Sequence, residues 1–335
     1  MAAADPAPLW RRVVQQSVWG KRGVSKTGTL WLPIAAILST QNGPQLSSAW
    51  LVCLLLFAAS ACRTQALILA NDLADRIEDL AAGKDRWILR LSPAGGLAVV
   101  AALLALGVSI FLAAHAAGAL AAYAAAVVLG LLYSLRPVRF KERGLMGLVV
   151  YSGSCALAYA VVPWEWLGAG WAGGGVVLAA VFLDRWVNLH FHQVIDYDAD
   201  SKGARETYVV RVGLDRARLT LQWAAGLASV ALVAVLMVLA ARLQTAALPV
   251  MGIGVASALA AGLHARAGRA SGQGSSLVLE VPWHYLGLTF ALFRLLPPVL
   301  LARLALAEPT LWIPAGAAAL TSLLESRLVL KYRYR

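Results

Sequence analysis

Ten apolar runs divide this chain of 335 residues, near 29–42, 48–70, 95–117, 119–134, 145–163, 172–193, 219–241, 246–263, 284–304 and 309–326. Most approach the roughly 20 residues that carry an α-helix across the hydrocarbon core of a bilayer. Hydrophobic residues make up 60% of the chain and charged residues 14%, with a mean hydropathy of +0.70. That balance excludes an ordinary soluble domain. The expected fold class is all-α, a polytopic membrane bundle of nine to ten transmembrane helices, with the first and fourth runs short for the task.

The net charge of +12 would also suit a nucleic-acid binder. Here, however, Lys and Arg fall between the apolar runs, so the partner they indicate is the lipid bilayer, with no nucleic acid expected. With a cytoplasmic N-terminus, 24 of the 29 Lys and Arg lie on cytoplasmic segments. Arg242 and Arg303 alone lie on the far side, and Arg63, Arg185 and Arg294 lie inside spans. This bias fits ten crossings with both termini inside, whereas nine would strand one basic cluster outside. The expected layout is a cytoplasmic segment over 1–28, a membrane core over 29–305, and an extra C-terminal transmembrane helix with a basic tail over 306–335. Cys53, Cys62 and Cys155 fall inside apolar runs and show neither metal spacing nor a disulfide framework.

Two acidic motifs follow long apolar runs. Asn71-Asp72-Leu-Ala-Asp75-Arg-Ile-Glu-Asp79 places Asp72, Asp75 and Asp79 at i, i+3 and i+7, one face of a helix. Three carboxylates on one face repel each other unless a cation sits among them. Mg²⁺ suits an all-oxygen set and commonly brings a phosphate-bearing substrate with it. The second motif is Asp196-Tyr-Asp-Ala-Asp200, and Asn188, His192, Asp196 and Asp200 recur every four residues as a polar stripe. Asp198 points away from that stripe. Both motifs face the cytoplasm in the ten-span layout, where two carboxylate faces would make a site for a metal-bound diphosphate.

The loop Tyr133-Ser134-Leu-Arg-Pro137-Val-Arg139-Phe-Lys141-Glu-Arg143-Gly144 lies at the same membrane face. Pro137 breaks the preceding helix, and Arg and Lys are the side chains that hold phosphate oxygens. Lys84, Arg86 and Arg90 follow the first motif in a short polar loop and are either ordinary topology determinants or cations that close over an anionic ligand. Arg63, eight residues before Asn71, is a charge inside a span, and such a charge lines a cavity or finds a partner. Neither His190 nor His192 has the companions of a zinc site. Glu280, His284 and Arg294 straddle the start of the ninth run, and 268–276 reads as a flexible linker.

Together these residues resemble the UbiA superfamily of intramembrane prenyltransferases. The first motif matches the family's N-D-x-x-D-x-x-x-D, and Asp196, Asp200, Gly203, Thr207 and Gly213 match its D-x-x-x-D and trailer. Tyr133, Ser134, Pro137, Arg139, Lys141 and Gly144 match its Y-S-x-x-P-x-R-x-K-x-x-G element. The resemblance covers roughly residues 25–305. It departs after the first motif, where Gly83-Lys-Asp-Arg-Trp87 stands in place of an Arg-Pro pair, and this leaves the acceptor open.

The resemblance implies Mg²⁺-dependent transfer of a prenyl group from a prenyl diphosphate to a small-molecule acceptor, commonly aromatic, through an allylic cation. It implies Asp72, Asp75, Asp79, Asp196 and Asp200 as metal ligands, with Asp72, Asp75, Asp196 and Asp200 central to catalysis. Asn71, Tyr133, Ser134, Arg139 and Lys141 would bind the diphosphate. Arg63, Asn188, His192 and Gln193 are candidates to face the acceptor or to support residues that do. A bacterial inner membrane is the expected location. Competing readings are a terpene cyclase, phosphoribosyl transfer to a polyprenyl phosphate and, more distantly, a transporter, which would place its charges at mid-membrane on broken helices.

Overall fold

A computed structural model of the chain describes residues 8–18, 24–41, 44–81, 83–168, 173–203, 205–243 and 281–333, with isolated positions 252 and 256. Among these residues there is no strand; one isolated bridge pairs Gly144 with Thr207. In chain order the helices are α1 (Thr27–Leu38), α2 (Ala49–Ala74), α3 (Arg76–Ala81), α4 (Pro93–Ala113), α5 (Ala117–Ser134) and α6 (Leu145–Leu167). They continue as α7 (Gly174–Ile195), α8 (Tyr197–Lys202), α9 (Tyr208–Val212), α10 (Leu214–Leu243), α11 (His284–Ala305) and α12 (Trp312–Arg333).

Six described helices are long and apolar enough to cross a membrane: α2, α4, α5, α6, α10 and α11. The protein is therefore an integral membrane protein with an all-α fold. Helices α7 and α12 have 22 residues each, and α7 carries Asp184 and Arg185 at its middle. The run near 246–263, the linker 268–276 and Glu280 lie outside the described residues. The first run behaves differently from the rest. Helix α1 has about 12 residues, a rise of about 18 Å, too short for a core of about 30 Å. Every residue from Trp31 to Leu38 is buried. The helix stops where the Ser39 and Thr40 hydroxyls donate back to the carbonyls of Ala36 and Ile37, each at 2.7 Å.

The long helices pack as successive neighbours, α2 on α4, then α5, α6, α7, α10, α11 and α12, and α12 returns to α2. Helix α1 fills the interior against α6 and α11. Within lipid, helices associate through close packing rather than through expulsion of water, so glycines at crossings matter. A Cβ on Gly107 would lie 2.0 Å from the Tyr123 hydroxyl, and one on Gly130 would lie 2.4 Å from Leu67. Among the described long helices, π-turns interrupt α6 at Leu157–Val161 and α11 at Ala291–Leu295. Each is followed closely by proline, Pro163 and Pro297, which removes a backbone donor from the ladder.

Alternation of the helices brings the ends of α2, α5 and α7 to one membrane face, together with the loops 75–92, 135–144 and 196–213. Deeper in the bundle, Arg294 of the second π-turn pairs with Glu325 of α12, tying the last helix into the ring. Stranding one partner of a buried pair costs more than removing both. Glu325→Gln should therefore lower stability by roughly 3 kcal/mol, and Arg294→Met/Glu325→Met by about half of that or less. Thermal unfolding in detergent reads both, and a double variant as damaged as the single would contradict this role.

Candidate active site

Helix α2 ends at Asp75, whose φ of −97° and ψ of 15° turn the chain before α3 resumes. The first acidic motif is thus a hinge of one kinked residue between two helices. Helical hydrogen bonds continue across it, from the Asp75 N–H to the Asn71 carbonyl at 3.0 Å and from the Asp79 N–H to the Asp75 carbonyl at 2.8 Å. Asp72, Asp75 and Asp79 are all buried. The second motif repeats the design. Helix α7 ends at Asp196, with φ −85° and ψ 3°, and α8 carries Asp200. In both hinges the last acid accepts from a cation five residues on: Lys84 Nζ lies 2.7 Å from Asp79 Oδ1, and Arg205 Nη1 lies 3.4 Å from Asp200 Oδ1. A constant offset of 121 residues relates Asp75 to Asp196, Asp79 to Asp200 and Lys84 to Arg205.

Cations from the third loop complete the first hinge. Lys141 Nζ donates to both Asp75 oxygens at 2.5 and 2.7 Å and to Asn71 Oδ1 at 2.9 Å. Ser134 Oγ donates to the same Asn71 oxygen at 3.2 Å. Arg139 Nη2 lies 3.0 Å from Asp75 Oδ1 and 3.5 Å from Glu78, and its Nε lies 2.8 Å from Glu142. Arg139 adopts φ 42° and ψ 59°, a left-handed conformation that costs a non-glycine residue on the order of 1 kcal/mol. The ion pairs around it hold it there. The loop is pinned to the second hinge's trailer by the bridge between Gly144 and Thr207 and by the Gly144 N–H donating to the Glu206 carbonyl at 3.4 Å.

The two hinges share one electrostatic environment. Burial pushes the Asp200 carboxyl above its ordinary value, while Arg205 and Lys84 pull it down and Asp196 adds to the rise. Asp196 moves in the same direction, again through desolvation first, against Lys84 and Arg205. Lys84 therefore pairs with the first hinge and acts on both acids of the second. Burial also lowers the Lys141 ammonium, against the pull of Asp75.

Below the Asn71–Ser134 contact a cavity of about 310 Å³ runs between α2, α5, α6 and α7. Tyr133, Tyr151 and Tyr159 line it together with Asn188, Arg185 and Arg63. Arg63 is 3% exposed and donates to the Ser154 carbonyl at 3.0 Å and to the Ser154 hydroxyl. Its Nε has no partner, and no described carboxylate pairs with it. Arg185 is instead neutralised by Asp184, which accepts from the Tyr285 hydroxyl at 2.8 Å.

Among the described residues no three His, Cys, Asp or Glu side chains converge as a metal cage. Mg²⁺ seldom uses such a cage. It is held by one or two carboxylates together with substrate phosphates and water, and the hard-oxygen donors of the two hinges fit that mode.

The sequence-predicted residues Asn71, Asp75, Ser134, Arg139 and Lys141 come together in one cluster. Tyr133 and Asn188 line the cavity beneath it. Gln193 is buried with Oε1 unpartnered, and His192 sits on α7 one turn before Asp196, whose N–H donates to its carbonyl. Sequence reading missed Arg205, Tyr151, Tyr159 and Ser154. The constant offset between the motifs would have found Arg205. The other three lie on α6, which reads as a plain apolar span.

A sequence model of the UbiA prenyltransferase family matches residues 29–277. No curated protein matches the chain. Among solved structures, a UbiA homolog from Archaeoglobus fulgidus is 16% identical with a TM-score of 0.52, covering 93% of this chain and 99% of that one. The same archaeal homolog bound to GPP and Mg²⁺ is 18% identical with a TM-score of 0.50, covering 69% and 78%. At these identities the likeness concerns the fold.

Asp200 yields a test of the site's cost. Because burial raises its carboxyl above the ordinary 3.8, the folded protein binds a proton that the unfolded chain has lost. Stability then falls as pH rises through the folded value and stays reduced at neutral pH. In metal-free buffer, Asp200→Asn should melt at or above the wild-type temperature at about pH 7, with a flatter pH dependence. A clear fall in melting temperature at neutral pH would contradict this.

Proposed function

The chain belongs to the UbiA prenyltransferase family, and on that premise we propose that it transfers a prenyl group from a prenyl diphosphate to a small-molecule, electron-rich aromatic acceptor inside the membrane. The observation that carries the reading is the pair of matched acidic hinges, sharing cations at one face above a cavity enclosed by helices. The GPP and Mg²⁺ bound by the archaeal homolog support the donor class.

Asp72, Asp75 and Asp79 on one side and Asp196 and Asp200 on the other would hold Mg²⁺, which supplies positive charge to the diphosphate leaving group. Asn71, Ser134, Arg139 and Lys141 bind the diphosphate oxygens. Both Arg139 and Lys141 are held by Asp75, which fixes them beside the place the leaving group would occupy. That preorganisation spares reorganisation as charge develops on the departing oxygen and the C–O bond ionises. Tyr133 lies beneath the diphosphate cluster, and its ring faces the cavity with that of Tyr151 at a centroid distance of 5.5 Å. Aromatic faces favour a nearby cation, so these rings suit the allylic cation that ionisation leaves. Burial among helices keeps water from capturing that cation.

The acceptor enters the same cavity, with Arg63 and Asn188 at its polar wall and His192 and Gln193 supporting the α7 side. A buried guanidinium with no acid partner among the described residues favours an acceptor bearing a negative or strongly polar group. The weight of Lys and Arg in the loops at this face supports a cytoplasmic opening. The prenyltransferase unit spans 29–305, with α12 docked beside it.

The deciding experiment supplies purified protein with Mg²⁺, a prenyl diphosphate and candidate aromatic acceptors, and follows diphosphate release and prenylated product. Asp72→Ala and Asp196→Ala should each reduce turnover by at least about 100-fold. Retained activity in both would contradict the proposal. A hydrocarbon or terpene alcohol formed without any acceptor would reassign the reaction to cyclisation.

A further inference from the structure

The segment ahead of the buried helix packs onto the loop that follows the first acidic hinge. Leu9–Val13 is a short helix that continues through Val14–Val18 as a π-turn. Arg12, 4% exposed, pairs with the Asp85 carboxylate. Gln16 Nε2 donates to the Asp85 carbonyl at 3.2 Å, and the Trp87 N–H donates to Gln16 Oε1 at 3.2 Å. The Trp87 indole N–H donates to Ser17 Oγ at 3.1 Å. Both ends of the stretch 85–87 are therefore held by residues some 70 positions earlier in the chain.

The chain is extended here, with Arg86 at φ −111° and ψ 127°. In extended backbone, successive side chains point to opposite sides. Asp85 turns to Arg12 and to Arg90, whose Nη2 lies 3.1 Å from Asp85 Oδ1, and its two neighbours point to the other side. Lys84 Nζ reaches Asp79 Oδ1 at 2.7 Å, and Arg86 Nε lies 3.9 Å from Asp79 Oδ2.

We propose that Arg12, Gln16 and Ser17 are positioning residues for the donor site: by anchoring Asp85 and Trp87 they aim Lys84 and Arg86 at the first acidic hinge, where those two cations meet the donor's diphosphate. The inference rests on the prenyl-donor reading above. It makes the N-terminal segment, expected from sequence to be a separate cytoplasmic piece, a working part of the site. The physical reason is preorganisation. A loop already ordered costs nothing to order on binding, whereas a released loop subtracts that cost from affinity.

The test uses full-length protein in detergent and the affinity for geranyl diphosphate in the presence of Mg²⁺. Arg12→Asp and Asp85→Arg should each weaken binding by about five- to tenfold, and the exchanged pair Arg12→Asp/Asp85→Arg, which restores the 12–85 pair but not the Asp85–Arg90 contact, should bind about threefold tighter than either single variant. Recovery on exchange is what a merely structural contact to other neighbours would not give. Gln16→Ala/Ser17→Ala, which removes only uncharged contacts, should weaken binding by about threefold with an unchanged melting temperature. That variant decides the matter if the charge variants do not fold. Wild-type affinity in Gln16→Ala/Ser17→Ala, or an exchanged pair no better than its single variants, would overturn the positioning role alone. A wild-type protein that binds no geranyl diphosphate with Mg²⁺ would overturn the donor reading and this inference together.

Discussion

The pairing of Asp75 with Lys141 and Arg139 is the interaction on which the rest of the site depends. Removing a carboxylate from water is costly unless cations and hydrogen bonds replace the lost hydration. Asp75 sits at the end of α2, and its cations come from the loop after α5, so meeting that need draws two distant segments together. The same loop is bridged to the trailer of the second motif at Thr207. One buried acid thus fixes the relative placement of three loops. The cations that satisfy it are those a diphosphate would engage.

The fold gives this arrangement twice. Each half presents a long helix, a hinge at an aspartate, a six-residue helix carrying a second aspartate, and a cation five residues beyond. The halves differ where chemistry would require it. The first has Asn71 one turn before its hinge and the second has His192 at the equivalent place. Position 63 is arginine in the first half and its equivalent, 184, is aspartate. One cavity wall therefore offers a guanidinium that no described carboxylate neutralises, while on the other Asp184 neutralises the adjacent Arg185. The cavity gains an asymmetric charge that a symmetric repeat would cancel.

The bundle and the acidic residues were legible in the sequence because both are written locally, as apolar run length and as carboxylate spacing. Asn71, Asp75, Ser134, Arg139 and Lys141 were found together because their motifs stand at the ends of successive spans. The hinges were not legible. Helical spacing predicts one face through Asp79, and all three acids are buried, but it gives no sign of the kink at Asp75, which accompanies ion pairs from a loop more than sixty residues away. Nor was the interior placement of α1, since an apolar run of that length reads equally as a short span until its neighbours are known. The N-terminal contacts to Asp85 and Trp87 join polar residues with no periodic signal at either end.

The central claim is that both hinges serve one ligand. Calorimetric titration with a prenyl thiolodiphosphate, whose sulfur-bridged leaving group ionises poorly, isolates binding from turnover. The account predicts binding that requires Mg²⁺ and weakens by about tenfold or more in Asp75→Asn and, separately, in Asp200→Asn. Binding that is indifferent to Mg²⁺, or that survives intact when either hinge is neutralised, would contradict a shared site.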